Sequence, residues 1–161
     1  MDYTKLKIGD LVNYSGTSAS SLLIRTVEAG LKNALNPKIA THTGIVCKME
    51  DQFLVCGMRL KPALESLDDK EIISVMRHPA INDADRSEIN KLVAYGVRKA
   101  YDYDWAGDIE FVLPFVKASD KKFYCSEYYK FLTSKYIIYT KPKYTPYDLQ
   151  RMSGFITVWS K

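Results

Sequence analysis

Apolar positions alternate with polar ones in some stretches of the chain and recur every three or four residues in others, and the two patterns divide it into strands and helices. Leu11–Tyr14, after Gly9-Asp10, reads as a short strand. Gly16-Thr17-Ser18 then breaks the pattern and offers a cap, and Leu23, Val27, Leu31 and Ala34 follow at helical spacing until Asn36-Pro37. Residues 39–48 and 52–58 form two strand-like runs around the polar Met49-Glu50-Asp51, which is hairpin spacing. Residues 71–77 read as a further strand.

Asp85 with Glu88 has the spacing of a capping box, and Ile89, Leu92, Val93, Val97 and Ala100 continue it as a helix over 85–101. Tyr101-Asp102-Tyr103-Asp104-Trp105 leads to an apolar stretch ended by Pro114, a shorter helix or an irregular connection. A helix over 123–136 follows from Cys125, Tyr128 or Tyr129, Leu132 and Tyr136 sharing a face. Lys141–Pro146 is linker-like, and Phe155–Trp159 closes the chain as a strand. Strands grouped in a block, with helices before and after, predict an α+β fold. Its central antiparallel sheet would hold the strands near 11–14, 40–48, 52–58, 71–77 and 155–159, covered by helices near 18–35, 85–101 and at Cys125.

The chain has 161 residues, one domain's worth, and 47% of them are apolar, enough for a core without disulfide staples. Its net charge of +4 comes from interspersed signs, and no Arg/Lys stripe with interleaved aromatics points to nucleic acid. No apolar run approaches the roughly 20 residues of a membrane span. The first ten residues lack the apolar segment of a signal peptide. With three cysteines in no zinc-ribbon or CxxC spacing, a disulfide framework is not expected, and a reducing, cytoplasmic location is. Twelve tyrosines predict rings that line a groove or cap the core with hydroxyls toward water.

Cys125 stands at the start of its helix, where free N–H groups and the helix dipole favour a thiolate; a buried small hydrophobe is the alternative. Of the two histidines, His42 sits early in a strand, a rigid platform for an imidazole. His78 precedes Pro79 at a strand end, where a solvated or locally bonded ring is expected. Asp10 suits the turn before the first strand, and Glu127 complements the dipole in the first helical turn. A zinc module from His42, Cys47, Cys56 and His78 would lack ligand-pair spacing.

Gly9-Asp10-Leu11-Val12, then His42-Thr43-Gly44-Ile45-Val46 opening a hairpin, then Tyr124-Cys125-Ser126-Glu127 opening a late helix, resemble the circularly permuted NlpC/P60 enzymes. These are the YiiX-like and poxvirus-type papain-like cysteine hydrolases, in which the cysteine helix follows the histidine strand. The resemblance runs from residue 8 to about 158 and takes in Gly16-Thr17-Ser18, Leu23-Ile24-Arg25 and Tyr101-Asp102. It implies a single permuted papain-like domain over 1–161, with a central antiparallel sheet or half-barrel packed by helices, and needing no cofactor or metal. Cys125 would be the nucleophile and His42 the proton carrier in acyl transfer, with Tyr124 and Ser126 near the oxyanion or lining the substrate groove. An amide in a peptide or peptidoglycan fragment is the implied substrate. An acyl thioesterase or lipid acyltransferase, or a catalytically weak papain-like binding scaffold, is the alternative. One position departs from the pattern. Where the family carries a polar residue that orients the histidine, this chain has Cys56, a weak partner for an imidazole. Glu50, Gln52, a backbone carbonyl or no third group at all would then orient His42.

Overall fold

The computed structural model describes residues 2–58, 61–67, 70–99 and 124–161. Six strands make one antiparallel sheet: β1 (Leu11–Tyr14), β2 (His42–Met49), β3 (Gln52–Met58), β4 (Pro62–Glu65), β5 (Ile72–Arg77) and β6 (Ile156–Ser160). Their order across the sheet is β4-β3-β2-β1-β5-β6. The α+β class and the antiparallel sheet expected from the sequence are therefore present. β4 is an addition, since Pro62-Ala63-Leu64-Glu65 carries too few alternating positions to announce a strand and is held by its pairing with β3. The β2–β3 hairpin turns at Glu50 and Asp51, whose φ angles of 46° and 67° are those of a tight two-residue turn.

Strand alternation sends side chains into two separate cores. On one face Leu11, Ile45, Cys47, Cys56 and Met58 meet Ile89, Val93, Cys125, Tyr128, Tyr129 and Leu132 from the helices. On the other, Val12, Tyr14, Val46, Val55, Ile72 and Val75 gather with Leu6 and Leu67. Four tyrosines, Tyr14, Tyr124, Tyr128 and Tyr129, are almost wholly buried, which corrects the expectation of water-facing hydroxyls. Tyr129 resolves its own burial by donating to the Gly9 carbonyl at 3.1 Å.

Among the described residues the α-helices are α1 (Ala19–Ala29), α2 (Asp83–Lys99), α3 (Cys125–Thr133) and α4 (Pro146–Arg151). α1 is shorter than its apolar spacing suggests, because Gly30 leaves helical geometry at φ 83° and the chain continues as a single 3-10 turn, Leu31–Asn33. Its apolar stripe is not a core stripe, since Leu23 is 56% and Leu31 83% exposed. Arg25 is buried on this helix and donates to the carbonyls of Gly16 and Asn36, so tying α1 to the loops on either side. α2 begins two residues earlier than expected: Asn82 caps the N–H groups of Ala84 and Asp85, and Asp85 returns a bond to the Asn82 N–H. Asp85 is thus the third residue of the capping box rather than its cap. The linker-like Lys141–Pro146 runs into a helix start, where Thr145 and Asp148 form a full capping box with Pro146 in the first turn. The segment from Tyr101 to Pro114 lies outside the described residues.

Candidate active site

Asp10 is buried at the root of β1 and closes the turn before it, accepting from the Lys7 N–H at 2.9 Å while its own N–H bonds the Lys7 carbonyl. Both carboxylate oxygens take bonds from Arg77 at 2.8 Å, and Arg86 approaches at 3.8 Å. The two arginines also donate to the carbonyls of Lys5, Ile8 and Ile81. Asp10 is structural, as its place before the strand suggests, and it anchors the sheet end from which β1 runs, beside Val46 of the antiparallel β2.

α3 carries Cys125 as its first residue. Tyr124 precedes it in extended conformation and makes no side-chain capping bond, while the Tyr128 N–H bonds the Tyr124 carbonyl to start the helix. The first-turn N–H groups have no acceptor within the helix, and Glu127 in that turn complements the dipole. α3 packs across β2 and β3, and through Tyr128 and Leu132 it joins the core that also holds Cys47 and Cys56. Cys125 itself is 5% exposed. Ser126 is fully buried and donates its hydroxyl to the Tyr144 carbonyl, so its side chain is engaged in docking α3 on the segment before α4. Tyr124 is fully buried as well.

His42 opens β2 opposite Tyr14, with ring centroids 5.5 Å apart and tilted by 54°. Alternation along β2 places it with Val46, on the Tyr14 side of the sheet. Its Nε2 lies toward β3: a carbon built on Gly57 would stand 3.0 Å from that nitrogen. The residue against the imidazole is therefore Gly57. Cys56 pairs with Ile45 and belongs to the helix-side core, where it meets Tyr128. Burial pushes the Cys56 thiol up to about 12, with the Tyr128 hydroxyl opposing and the Glu65 charge adding to the shift. Burial also pushes Cys47 up to about 12, with Cys56 contributing. Glu50 and Gln52, the other candidates to orient His42, sit at the far end of the hairpin, seven residues along β2, or roughly 24 Å at strand rise.

The second histidine is placed elsewhere. His78 packs edge-on against Phe155 at 5.1 Å, accepts from the Ala80 N–H at Nδ1, and is pushed below its ordinary value by burial. Among the described residues no group of three or more His, Cys, Asp or Glu side chains is arranged to hold a metal ion, and all three cysteines are free thiols. Among them, too, no helix is long and apolar enough to cross a membrane.

This arrangement of one antiparallel sheet with a late helix across its second strand has a counterpart among solved structures. The chain is similar to the metalloprotein yiiX from Escherichia coli O157:H7, with a TM-score of 0.67 over 98% of each chain at 14% identity. The chain has a YiiX-like fold. No protein-family model matches the sequence, and no curated protein does. The two candidate side chains start from opposite faces of β2: Cys125 belongs to the helix-side core, and alternation assigns His42, the first residue of the strand, to the Tyr14 side.

Proposed function

We propose that this chain is a papain-like cysteine hydrolase working through Cys125 and His42. The observation that carries the proposal is the place of Cys125: of the three thiols it alone begins a helix, and that helix lies across the strand His42 opens, in a YiiX-like fold. The helix dipole favours negative charge at the sulfur, and the first-turn N–H groups, that of Cys125 included, would receive the negative charge of a carbonyl oxygen under attack.

In the reaction proposed, the His42 ring turns around the start of β2 from the Tyr14 side and takes the Cys125 proton, and the sulfur bonds to the carbonyl carbon of an amide. The C–N bond then breaks as the imidazolium protonates the departing amine. Water attacks the resulting thioester with His42 accepting its proton, which releases the acid and restores the thiol. A peptide or peptidoglycan-type amide is the substrate favoured here, and a thioester or lipid acyl group would be handled by the same steps. The yiiX structure is described as that of a metalloprotein, but the described residues of this chain offer no cluster to hold an ion, so no step is routed through one. Three free thiols suit a reducing compartment such as the cytoplasm.

A second reading, a binding scaffold with little catalysis, is favoured by the burial of Cys125 in the helix-side core and by the place of His42 on the opposite face of β2. Alkylation with iodoacetamide at neutral pH, followed by peptide mapping, separates the two. The hydrolase predicts Cys125 labelled at least about tenfold faster than Cys47 and Cys56, and slowed by His42→Ala. Equal rates for all three thiols, limited by unfolding, would leave the scaffold.

A further inference from the structure

The helical spacing of α2 does not bury every apolar residue that it aligns. Ile89 and Val93 lie in the core, whereas Leu92 is 42% and Tyr95 45% exposed, and on α3 Phe131 is 45% exposed. These three side chains border a groove of about 710 Å³ between α2 and the end of α3, and buried Leu132 is its recessed part. Single exposed apolar residues are ordinary, but a contiguous set around a depression marks an interaction surface. The charge around it has one dominant sign. Lys91, Arg98, Lys99 and Lys135 are all exposed there. Glu88 faces them but already holds Lys135 at 2.8 Å and accepts the Tyr136 hydroxyl at 2.7 Å, and Asp85, a turn earlier, caps the Asn82 N–H. Lys99 stands over the Tyr95 ring, 5.6 Å from its centroid.

An occupant must be apolar where it covers Leu92, Tyr95 and Phe131 and acidic where it meets Lys91, Arg98 and Lys99. Its shape follows from the groove. α2 lines it from Glu88 to Arg98, about 15 Å at helical rise, the length over which a second helix presents anchors at i, i+4 and i+7. A bilayer surface is flat and would leave recessed Leu132 uncovered, whereas the side-chain ridge of a helix fills such a depression. We propose that the α2–α3 groove docks an acidic amphipathic helix of a partner protein, its apolar ridge on Leu92, Tyr95 and Phe131 and its carboxylates against Lys91, Arg98 and Lys99. The groove lies toward the opposite end of α3 from Cys125, and the proposal does not depend on the hydrolase reading. Apolar contact supplies the affinity, and the basic rim selects acidic helices over neutral or basic ones.

The test is selection of random peptides of about 16 residues, roughly four helical turns, displayed on phage against the full chain. Enriched peptides are then synthesised and titrated by fluorescence anisotropy. The expected result is enrichment of sequences with apolar residues at i, i+4 and i+7 and acidic residues beside them. Leu92→Glu and Arg98→Glu should each weaken their binding by about tenfold or more, and added salt should weaken it as well. Both side chains are exposed, so neither substitution opens the core, and Lys32→Glu, an exposed reversal outside the groove, should leave the affinity unchanged. No enrichment, enrichment of neutral or basic peptides, or affinities indifferent to Leu92→Glu overturn the proposal. So do two outcomes that give the groove another occupant while no peptide is selected. One is binding to mixed phosphatidylcholine and phosphatidylglycerol vesicles that Arg98→Glu abolishes, and the other is a dimer in sedimentation equilibrium that Leu92→Glu dissolves.

Discussion

Single residues carry two of the less obvious features of this molecule, and the first is Asp10. It is fully buried and balances Arg77 and Arg86, which themselves hold three backbone carbonyls, so one carboxylate connects the N-terminal turn, β5 and the start of α2. Removing one member of a buried ionic group leaves the others uncompensated. Asp10→Asn should cost about 3 kcal/mol in urea unfolding, and a loss near zero would mean that water replaces the carboxylate for Arg77. The second feature is the pair of core thiols. Folding holds the protons of Cys47 and Cys56 from an ordinary 9.0 up to about 12, so between those pH values the unfolded chain releases protons that the folded one keeps. The contribution of the two thiols to stability should therefore be level below pH 9 and fall above it, by about 1.4 kcal/mol per pH unit for each thiol. Urea midpoints from pH 8 to 11 measure this, and Cys47→Ala should reduce the slope.

At the scale of elements, the α2–α3 contact turns on a glycine inside a helix. A β-carbon at Gly96 would come within 2.4 Å of the Tyr128 hydroxyl oxygen, and the Tyr128 ring is buried. Gly96→Ala improves helix propensity by about 1 kcal/mol when nothing opposes it, but here overpacking of about 1–3 kcal/mol wins and the substitution should destabilise. Adding Tyr128→Phe should recover most of the loss in a double-mutant cycle, and a stabilising single variant would show that α2 slides freely on α3. The elements also show what the sequence reveals. The strands near 11–14, 40–48, 52–58, 71–77 and 155–159 and the helix at Cys125 were legible because alternation or helical spacing persists over enough positions to bury one side. β4 was not, since four residues bearing a proline become a strand only through their pairing with β3. Nor was the outward stripe of α1, because periodicity marks an amphipathic face without saying whether anything covers it. The candidate site was partly legible: Cys125 and His42 carry local signatures, whereas the face of the sheet each occupies and the placing of Gly57 against the His42 ring depend on strand register, which spacing alone does not disclose.

For the whole molecule, the strand order has a consequence for how the chain comes together as it is made. β1 is synthesised first and ends in the interior of the sheet. β2 then joins one side of it, β3 joins β2 and β4 joins β3, after which β5 takes the opposite side of β1 and β6 joins β5. Every strand meets a partner that already exists and has an open edge, so none must be threaded between two that are already bonded. The sheet can be built by accretion in the direction of synthesis, with the free side of β1 held in waiting until residue 72 arrives. α3, and with it the Cys125 thiol, comes to a platform of five strands already laid down.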